Sequence, residues 1–154
     1  DGETYLAGRS VAMSKDGRVV SIGMPGAGLR GGVFVGLVRT LVLDKDEDMF
    51  YPRGDIQGQE DGSSVGQTIS LSRDGSRLAL DDVVNEKTHG VFVFEYQNPT
   101  WKQLGSFLNV GVFGDRLRVA LSGDGSTLAI GLAGTHGSAR DRLLSYRYVE
   151  SDQT

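Results

Sequence analysis

Three aspartates at alternate positions, Asp44, Asp46 and Asp48, are the residues whose spacing most clearly suggests chemistry. Alternate carboxylates in a turn are the ligands that a calcium-binding loop offers to this hard cation. An EF-hand loop would also need a glycine where Met49 stands and a glutamate at its end, and neither is present. We therefore expect no resident cofactor, with calcium as the one candidate, and favour a solvated acidic turn.

A second group of ionisable residues consists of the adjacent pair Asp81 and Asp82 together with the two histidines, His89 and His136. Paired carboxylates can act as general acid and base or as metal ligands. Neighbouring residues on a strand point to opposite faces, however, so this pair is predicted to be the polar end of a strand. Both histidines lie within Thr-His-Gly ahead of a predicted strand, which favours a structural role over a catalytic or metal-binding role.

The composition excludes several classes of function. The 154 residues include no cysteine, which rules out a disulfide framework, thiol catalysis and cysteine-ligated zinc. The net charge is -4 and no run of lysine or arginine occurs, so the electrostatic footprint of a nucleic-acid-binding protein is missing. No apolar stretch approaches the length of a membrane-spanning helix. Because no catalytic triad order, Gly-x-Ser-x-Gly elbow or phosphate-binding loop is recognisable either, we predict that the chain is not an enzyme.

A threefold repeat must position these residues. Segments 8–17, 66–75 and 116–125 align without gaps, and each ends in Ser-x-Asp-Gly followed by a second alternating apolar run. An Asp-Gly pair between two alternating runs predicts a β-hairpin, because glycine accepts a positive φ without steric cost. Each copy therefore begins with two antiparallel strands.

The two faces of each predicted hairpin differ in side-chain size. In the first copy, one face carries Val11, Met13 and Ile22, and the opposite face carries Ala12 and Ser21. The other two copies repeat this contrast. A solvated strand face normally carries charged or large polar residues, so the small uncharged face indicates a close neighbour on that side as well. We therefore expect sheets that stack on one another and are covered on both faces.

Further strands complete each repeat. A third strand is predicted at 37–43, 91–96 and 143–148, and a fourth at 49–56 and 100–108. Four antiparallel strands in a unit of about fifty residues are typical of the blades of a β-propeller.

The repeat also resembles that of a known family. Residues 119–131, Val-Ala-Leu-Ser-Gly-Asp-Gly-Ser-Thr-Leu-Ala-Ile-Gly, are similar to the SVALSGDGSTLAIGAPG repeat of propeller-like proteins abundant in diatoms and related algae. Residues 101–105 resemble the W-x-Q-L-G strand of that family, and residues 91–96 resemble its VRVYEY strand. The resemblance implies a propeller-like fold and leaves the function open, because the repeats are structural.

We therefore predict an all-β, propeller-like array of three four-stranded antiparallel blades, the last one incomplete. It forms a single domain over residues 1–154, with repeat units at about 8–58, 66–108 and 116–150. Propellers typically close with about four to eight blades, so three blades are not expected to form a closed ring. Exposed blade edges are prone to aggregate unless they are covered, which predicts a protein partner or further copies of the repeat.

These features favour a non-catalytic protein-interaction or scaffold module. Contact with a partner is placed at Leu29, Phe34 and Val35, apolar residues in a long glycine-rich connection that offers them no obvious core. In the lineage that the resemblance implies, one version is an extrinsic accessory subunit of an organellar assembly in the plastid, such as an algal photosystem–antenna complex, associated peripherally with a membrane. The alternative is an extracellular propeller fragment that binds calcium or a glycan.

Overall fold

The computed structural model describes residues 6–84, 88–112, 116–134 and 141–149, and all of its regular elements in these ranges are β-strands. None of the described residues belongs to a helix that is long and apolar enough to cross a membrane. His136 lies outside the described residues, so its predicted structural role stays a prediction.

The first sheet follows the predicted order of strands along the chain. A separate two-stranded hairpin interrupts the connection that the sequence analysis left as a loop. The first sheet contains, in spatial order, β1 (Ser10–Met13), β2 (Val19–Met24), β5 (Leu37–Asp44) and β6 (Met49–Gln57), and the separate hairpin contains β3 (Leu29–Arg30) and β4 (Val33–Phe34).

The second and third sheets repeat this antiparallel pattern. Within the described residues the third sheet has three strands, as the incomplete last repeat predicts. The second sheet contains β7 (Ile69–Leu71), β8 (Arg77–Val84), β9 (Thr88–Gln97) and β10 (Thr100–Val112), and the third contains β11 (Arg116–Leu121), β12 (Thr127–Ala133) and β13 (Arg142–Arg147).

The Ser-x-Asp-Gly segment closes the first hairpin of each sheet through side-chain hydrogen bonds. In the second sheet, the Ser72 hydroxyl donates to Asp74 Oδ1 at 2.7 Å and accepts from the backbone N–H of Arg77 at 2.9 Å. Gly75 has a φ of 71°, which explains why glycine ends the motif. The same bonds occur in the third sheet. There the Ser122 hydroxyl, together with the N–H and hydroxyl of Ser126, lowers the pKa of Asp124 to about 2. The turn is therefore specified by the motif itself.

The second sheet is packed on both faces, which confirms the prediction that the sheets stack. Its large face, which includes Leu78 and Leu80, packs against Val38 and other residues of the first sheet. Its small face, which includes Ala79, packs against Ile130 and other residues of the third sheet. These two apolar clusters hold the three sheets together, because burial of apolar surface is the main stabilising contribution to folding.

A ladder of backbone hydrogen bonds links equivalent turn residues of the three sheets. The N–H of Lys15 donates to the carbonyl of Arg73 at 2.8 Å, and the N–H of Arg73 donates to the carbonyl of Gly123 at 2.8 Å. The first strands of the sheets, β1, β7 and β11, also lie side by side. The sheets are therefore arranged around a common line formed by their first strands, as the blades of a propeller are.

The two serines that bond Asp74 allow a matched test of the turn. Ser72 is fully buried and also accepts the Arg77 N–H, whereas Ser76 is partly exposed and only bonds the Asp74 side of the turn. We expect Ser72→Ala to lower the free energy of unfolding by about 1–3 kcal/mol, because a buried N–H loses its acceptor. Ser76→Ala should change it by less than about 0.5 kcal/mol. Urea unfolding of both variants makes the comparison, and equal losses would contradict the assigned role of the buried hydroxyl.

Candidate interaction surfaces

The acidic turn between β5 and β6 is organised by hydrogen bonds within itself. Asp44 Oδ1 accepts from the backbone N–H of Asp46 at 2.8 Å and from that of Glu47 at 3.3 Å. Among the described residues, which include this turn, no three carboxylate or imidazole side chains are grouped so that they could hold a metal ion. The Asp44 carboxylate is therefore used within its own turn, and calcium binding at Asp44, Asp46 and Asp48 stays a prediction.

The carboxylate of Asp81 belongs to a buried polar cluster between β8 and β9. Asp81 is 1% exposed, accepts the backbone N–H of Thr68 at 2.8 Å and lies 3.2 Å from Nε2 of His89. The His89 side chain is itself buried, so this contact is closed to solvent. The geometry fits the structural role predicted for His89, whose partner on the neighbouring strand the sequence did not reveal.

Asp82 faces the opposite side of β8, as the alternation of a strand requires. It accepts the backbone N–H of Ser64 at 3.0 Å and the hydroxyl of Ser63 at 3.3 Å. Burial raises the pKa of Asp82 to about 6. The two aspartates therefore fasten different parts of the connection that enters the second sheet, and they do not converge as an acid–base pair would.

The hairpin formed by β3 and β4 presents apolar side chains to solvent. Its tip is Gly31 and Gly32, with φ values of 56° and 86°, so two consecutive positive φ angles close the turn. Leu29 is 62% exposed and Val33 is 47% exposed. Phe34 is partly exposed and stands opposite Leu29 in the strand register. Leu29 and Phe34, both predicted to contact a partner, are therefore neighbours across one small hairpin.

The base of this hairpin is fixed to the body of the protein. Val35 is fully buried, and its N–H donates to the carbonyl of Gly28 at 2.9 Å. The next residue, Gly36, forms a parallel bridge with Val65, so the chain turns inward directly after the hairpin. The expectation that Val35 is open to a partner is therefore wrong. Its burial holds the exposed residues in a defined position.

An arginine joins the first sheet to the second. Nη1 of Arg53 donates to the carbonyl of Gly75 at 3.0 Å, and its guanidinium lies 4.0 Å from the ring centroid of Tyr96. Tyr96 in turn meets the ring of Trp101 edge to face, with 5.4 Å between the centroids. Cation–π contact and a carbonyl hydrogen bond therefore act together at the outer part of this junction.

The junction between the second and third sheets uses the same combination. Nη1 of Arg77 donates to the carbonyl of Gly125 at 3.4 Å, and its guanidinium lies 4.9 Å from the ring centroid of Tyr148. Glu95 holds this guanidinium from the other side through an ion pair of 2.9 Å. No sequence pattern indicated this combination of contacts, because Arg53 and Arg77 occupy different positions in the repeat.

Each of the two outer sheets has one face that the described residues leave uncovered. On the first sheet, Val11 and Met13 are each 59% exposed. We call the two surfaces the open large face, which contains Val11, Met13, Val20, Ile22 and Leu41 together with the ion pair of Arg39 and Asp55, and the open small face, which contains Ala120, Ala129, Gly131 and Ser145 together with Arg116, Arg118, Leu143 and Arg147 on the edge strands β11 and β13.

The raised pKa of Asp82 has a consequence for the pH dependence of stability. The folded protein binds this proton more tightly than the unfolded chain, so Asp82 contributes stability below about pH 4 that is lost as the pH rises through about 6. The stability lost over this pH range is roughly 3 kcal/mol. We expect the free energy of unfolding of Asp82→Asn to fall less between pH 4 and pH 7 than that of the unchanged protein, as measured by urea unfolding.

The matched control for that measurement is Asp61→Asn. Asp61 is an exposed aspartate in the same connection, so its replacement removes one charge without removing a buried carboxyl. This control should keep the pH dependence of the unchanged protein. An Asp82→Asn variant that loses stability with pH as steeply as the control would show that the buried carboxyl does not titrate in this range.

Comparison with known proteins shows the fold. No family model matches the chain, and no curated protein matches it. Among solved structures, TolB from Acinetobacter baumannii matches 92% of this chain and 30% of its own, at 11% identity and a TM-score of 0.51. The periplasmic gluconolactonase PpgL from Pseudomonas aeruginosa matches 90% of this chain and 38% of its own, at 20% identity and a TM-score of 0.54.

A protein from Lactobacillus plantarum gives a similar result, with 16% identity, a TM-score of 0.52, and coverage of 92% of this chain and 41% of its own. The chain therefore spans less than half the length of these structures. TolB and the gluconolactonase are β-propeller proteins, and at these identities the likeness concerns the fold alone. Together with the stacked antiparallel sheets, it identifies the chain as an all-β, propeller-like array whose sheets do not close into a ring.

Proposed function

We propose that this chain is a non-catalytic module that binds a protein partner or acts as a scaffold. The observation that supports this function most directly is the fixed hairpin, whose buried Val35 holds the exposed Leu29 and Val33 away from the core. Exposed apolar side chains on a rigid support can dock without a large loss of conformational entropy. Leu29 lies beside Phe34 on one face of the hairpin and Val33 lies on the other, so a partner that covers the tip of the hairpin would contact all three residues.

The arrangement of the ionisable residues supports a role without catalysis. Asp81 and His89 face each other inside the protein, where a substrate cannot reach them. Asp82 is buried on the other face of the same strand. One solved structure that matches the chain belongs to a study of prolyl endopeptidases and another is a gluconolactonase, but identities of 12% and 20% carry the fold and not the activity.

A more specific version of the proposal rests on the repeat resemblance alone. In that version the chain is an extrinsic accessory subunit of a larger organellar assembly, such as an algal photosystem–antenna complex. The exposed hairpin would then meet a protein of that assembly, and the chain would associate with the membrane only through that protein. The plastid is the compartment that this version requires.

Photo-cross-linking at the hairpin tests the proposed function. A benzoyl-phenylalanine at Val33, irradiated in an extract of the source cells, should join the chain to one dominant partner. Leu29→Asp in the same protein should reduce that product by more than about tenfold, because an apolar anchor in an interface contributes about 2 kcal/mol or more. Since Leu29 is exposed, this substitution should change the free energy of unfolding by less than about 0.5 kcal/mol.

The control places the same cross-linker at Lys102, an exposed residue of β10 remote in sequence from the hairpin. The partner band should be absent there. The proposal fails if Val33 gives no product of its own, or if the product forms equally well with Leu29→Asp.

A further inference from the structure

The two internal junctions of the protein follow one packing rule. The large face of the second sheet, with Leu78 and Leu80, covers the small face of the first sheet. The large face of the third sheet, with Leu128 and Ile130, covers the small face of the second sheet, where Ala79 lies. Each sheet thus offers a small face to the large face of the next one.

The same rule leaves two different surfaces at the ends of the array. The open large face belongs to the first sheet, and the open small face belongs to the third. Ala120 is exposed, and Ala129 and Gly131 are partly exposed. Only the central part of each open face therefore has the type of side chain that its counterpart contacts inside the protein, because Arg118 stands where the internal junctions have Ser10 and Thr68. These central parts are complementary to each other instead of each to itself.

The turn glycines show how closely the sheets approach at a completed junction. A Cβ added to Gly75 would lie 2.7 Å from Cβ of Val19, and a Cβ added to Gly125 would lie 3.1 Å from Cβ of Arg77. Gly17 is the equivalent residue of the first sheet. A Cβ there would approach only Sδ of Met13 among the described residues, at 3.9 Å. The first sheet therefore has a glycine at the junction position, although no described sheet packs against it.

A second pair of glycines shows the same feature at the other end. A Cβ added to Gly23 on the small face of the first sheet would lie 2.1 Å from the carbonyl oxygen of Gly66 in the connection that enters the second sheet. Gly131 is its equivalent on the open small face, and no atom of the described residues lies within 4 Å of a Cβ added there. The third sheet therefore also keeps the space that a following sheet would occupy.

The ladder of turn hydrogen bonds has matching ends. It runs from Lys15 through Arg73 to Gly123, and in each step the N–H of one sheet donates to the carbonyl of the next. Its two ends are consequently the carbonyl of Lys15 on the first sheet and the N–H of Gly123 on the third. A contact between the third sheet of one copy and the first sheet of another would continue the ladder in the same direction.

From these observations we propose that two copies of this chain assemble head to tail, the open small face of each covering the open large face of the other. A heterologous contact of this kind forms a closed ring if its rotation closes, and here two equivalent contacts would close it. The ring would contain six sheets, within the range of about four to eight that propellers use. This inference goes beyond the proposed function, because it concerns the faces of the outer sheets and not the hairpin.

Analytical ultracentrifugation of the purified chain tests the assembly. We expect a species of twice the 16.5 kDa chain mass. Ala120→Arg on the open small face and Met13→Asp on the open large face should each weaken association by more than about tenfold, because a charge is placed in the contact. Both residues are exposed in the single chain, so the circular dichroism and the melting of the monomer should be unchanged. Val33→Arg on the hairpin is the control and should leave the dimer intact.

Cysteine cross-linking tests the direction of the contact in a chain that has no cysteine of its own. Gly17→Cys and Thr127→Cys, made in separate copies and mixed under oxidising conditions, should give a disulfide-linked heterodimer. These two positions are the equivalents of Gly75 and Val19, whose Cβ positions lie 2.7 Å apart at the internal junction. Val19→Cys with Gly75→Cys in one chain is the matched control. Its Cβ atoms must move about 1 Å apart to reach the roughly 3.5–4.5 Å of a disulfide, and the bond should then form within a monomer.

Several outcomes would overturn the assembly. A monomer at high protein concentration would show that something other than a second copy covers these faces. Cross-linking of Gly17→Cys only to itself would show an isologous contact, and larger polymers would show that the ring does not close. The partner of the hairpin is tested separately, by cross-linking at Val33 in the cell extract. A chain that does not dimerise can therefore still bind that partner, and a chain that dimerises can fail to bind it.

Discussion

The close contact of small side chains on one sheet with large side chains on the next is the interaction on which the rest of this structure depends. Ala12 and Ala79 lie at the two internal junctions, and each lets a leucine-rich face of the following sheet approach closely. A larger side chain at these positions would force the sheets apart, since protein interiors are packed as densely as organic crystals. The glycines at the turns have the same effect on the backbone.

Polar contacts fix the register of this apolar stacking. The turn ladder aligns equivalent residues of successive sheets. Arg53 on β6 and Arg77 on β8 each attach their sheet to the turn of the next sheet. Asp81 and Asp82 hold the connection that enters the second sheet. Directional hydrogen bonds therefore select one arrangement among the many that apolar packing alone would permit.

The order of the strands and the stacking of the sheets could be predicted from the sequence, because both follow from local repeats. The alternation around Val11 and Ala12 indicates two faces, and Asp-Gly marks the turn between strands. Only the glycine of that pair has a positive φ, so the turn is closed by the serine hydroxyl as well as by the Asp-Gly pair. The motif located the hairpin correctly without revealing this detail.

The candidate surfaces were less accessible to prediction, because they depend on contacts between distant residues. Val35 lies in the same apolar run as Phe34, and only the bridge between Gly36 and Val65 decides which of them is buried. The pairing of Asp81 with His89 likewise depends on the register of two strands. The alternate aspartates of the acidic turn suggest a ligand set, and the sequence did not reveal that Asp44 bonds the backbone of its own turn.

Within the part of the chain that the structure describes, the second sheet is the only one that takes part in both apolar clusters. In an array where each unit contacts only its neighbours, stability is approximately the sum of the units and the junctions between them. The middle unit is then the last to open, while each outer unit can detach by losing a single junction. Local unfolding of this chain should therefore begin in the first and third sheets, and the second sheet, which contains β8, should unfold last.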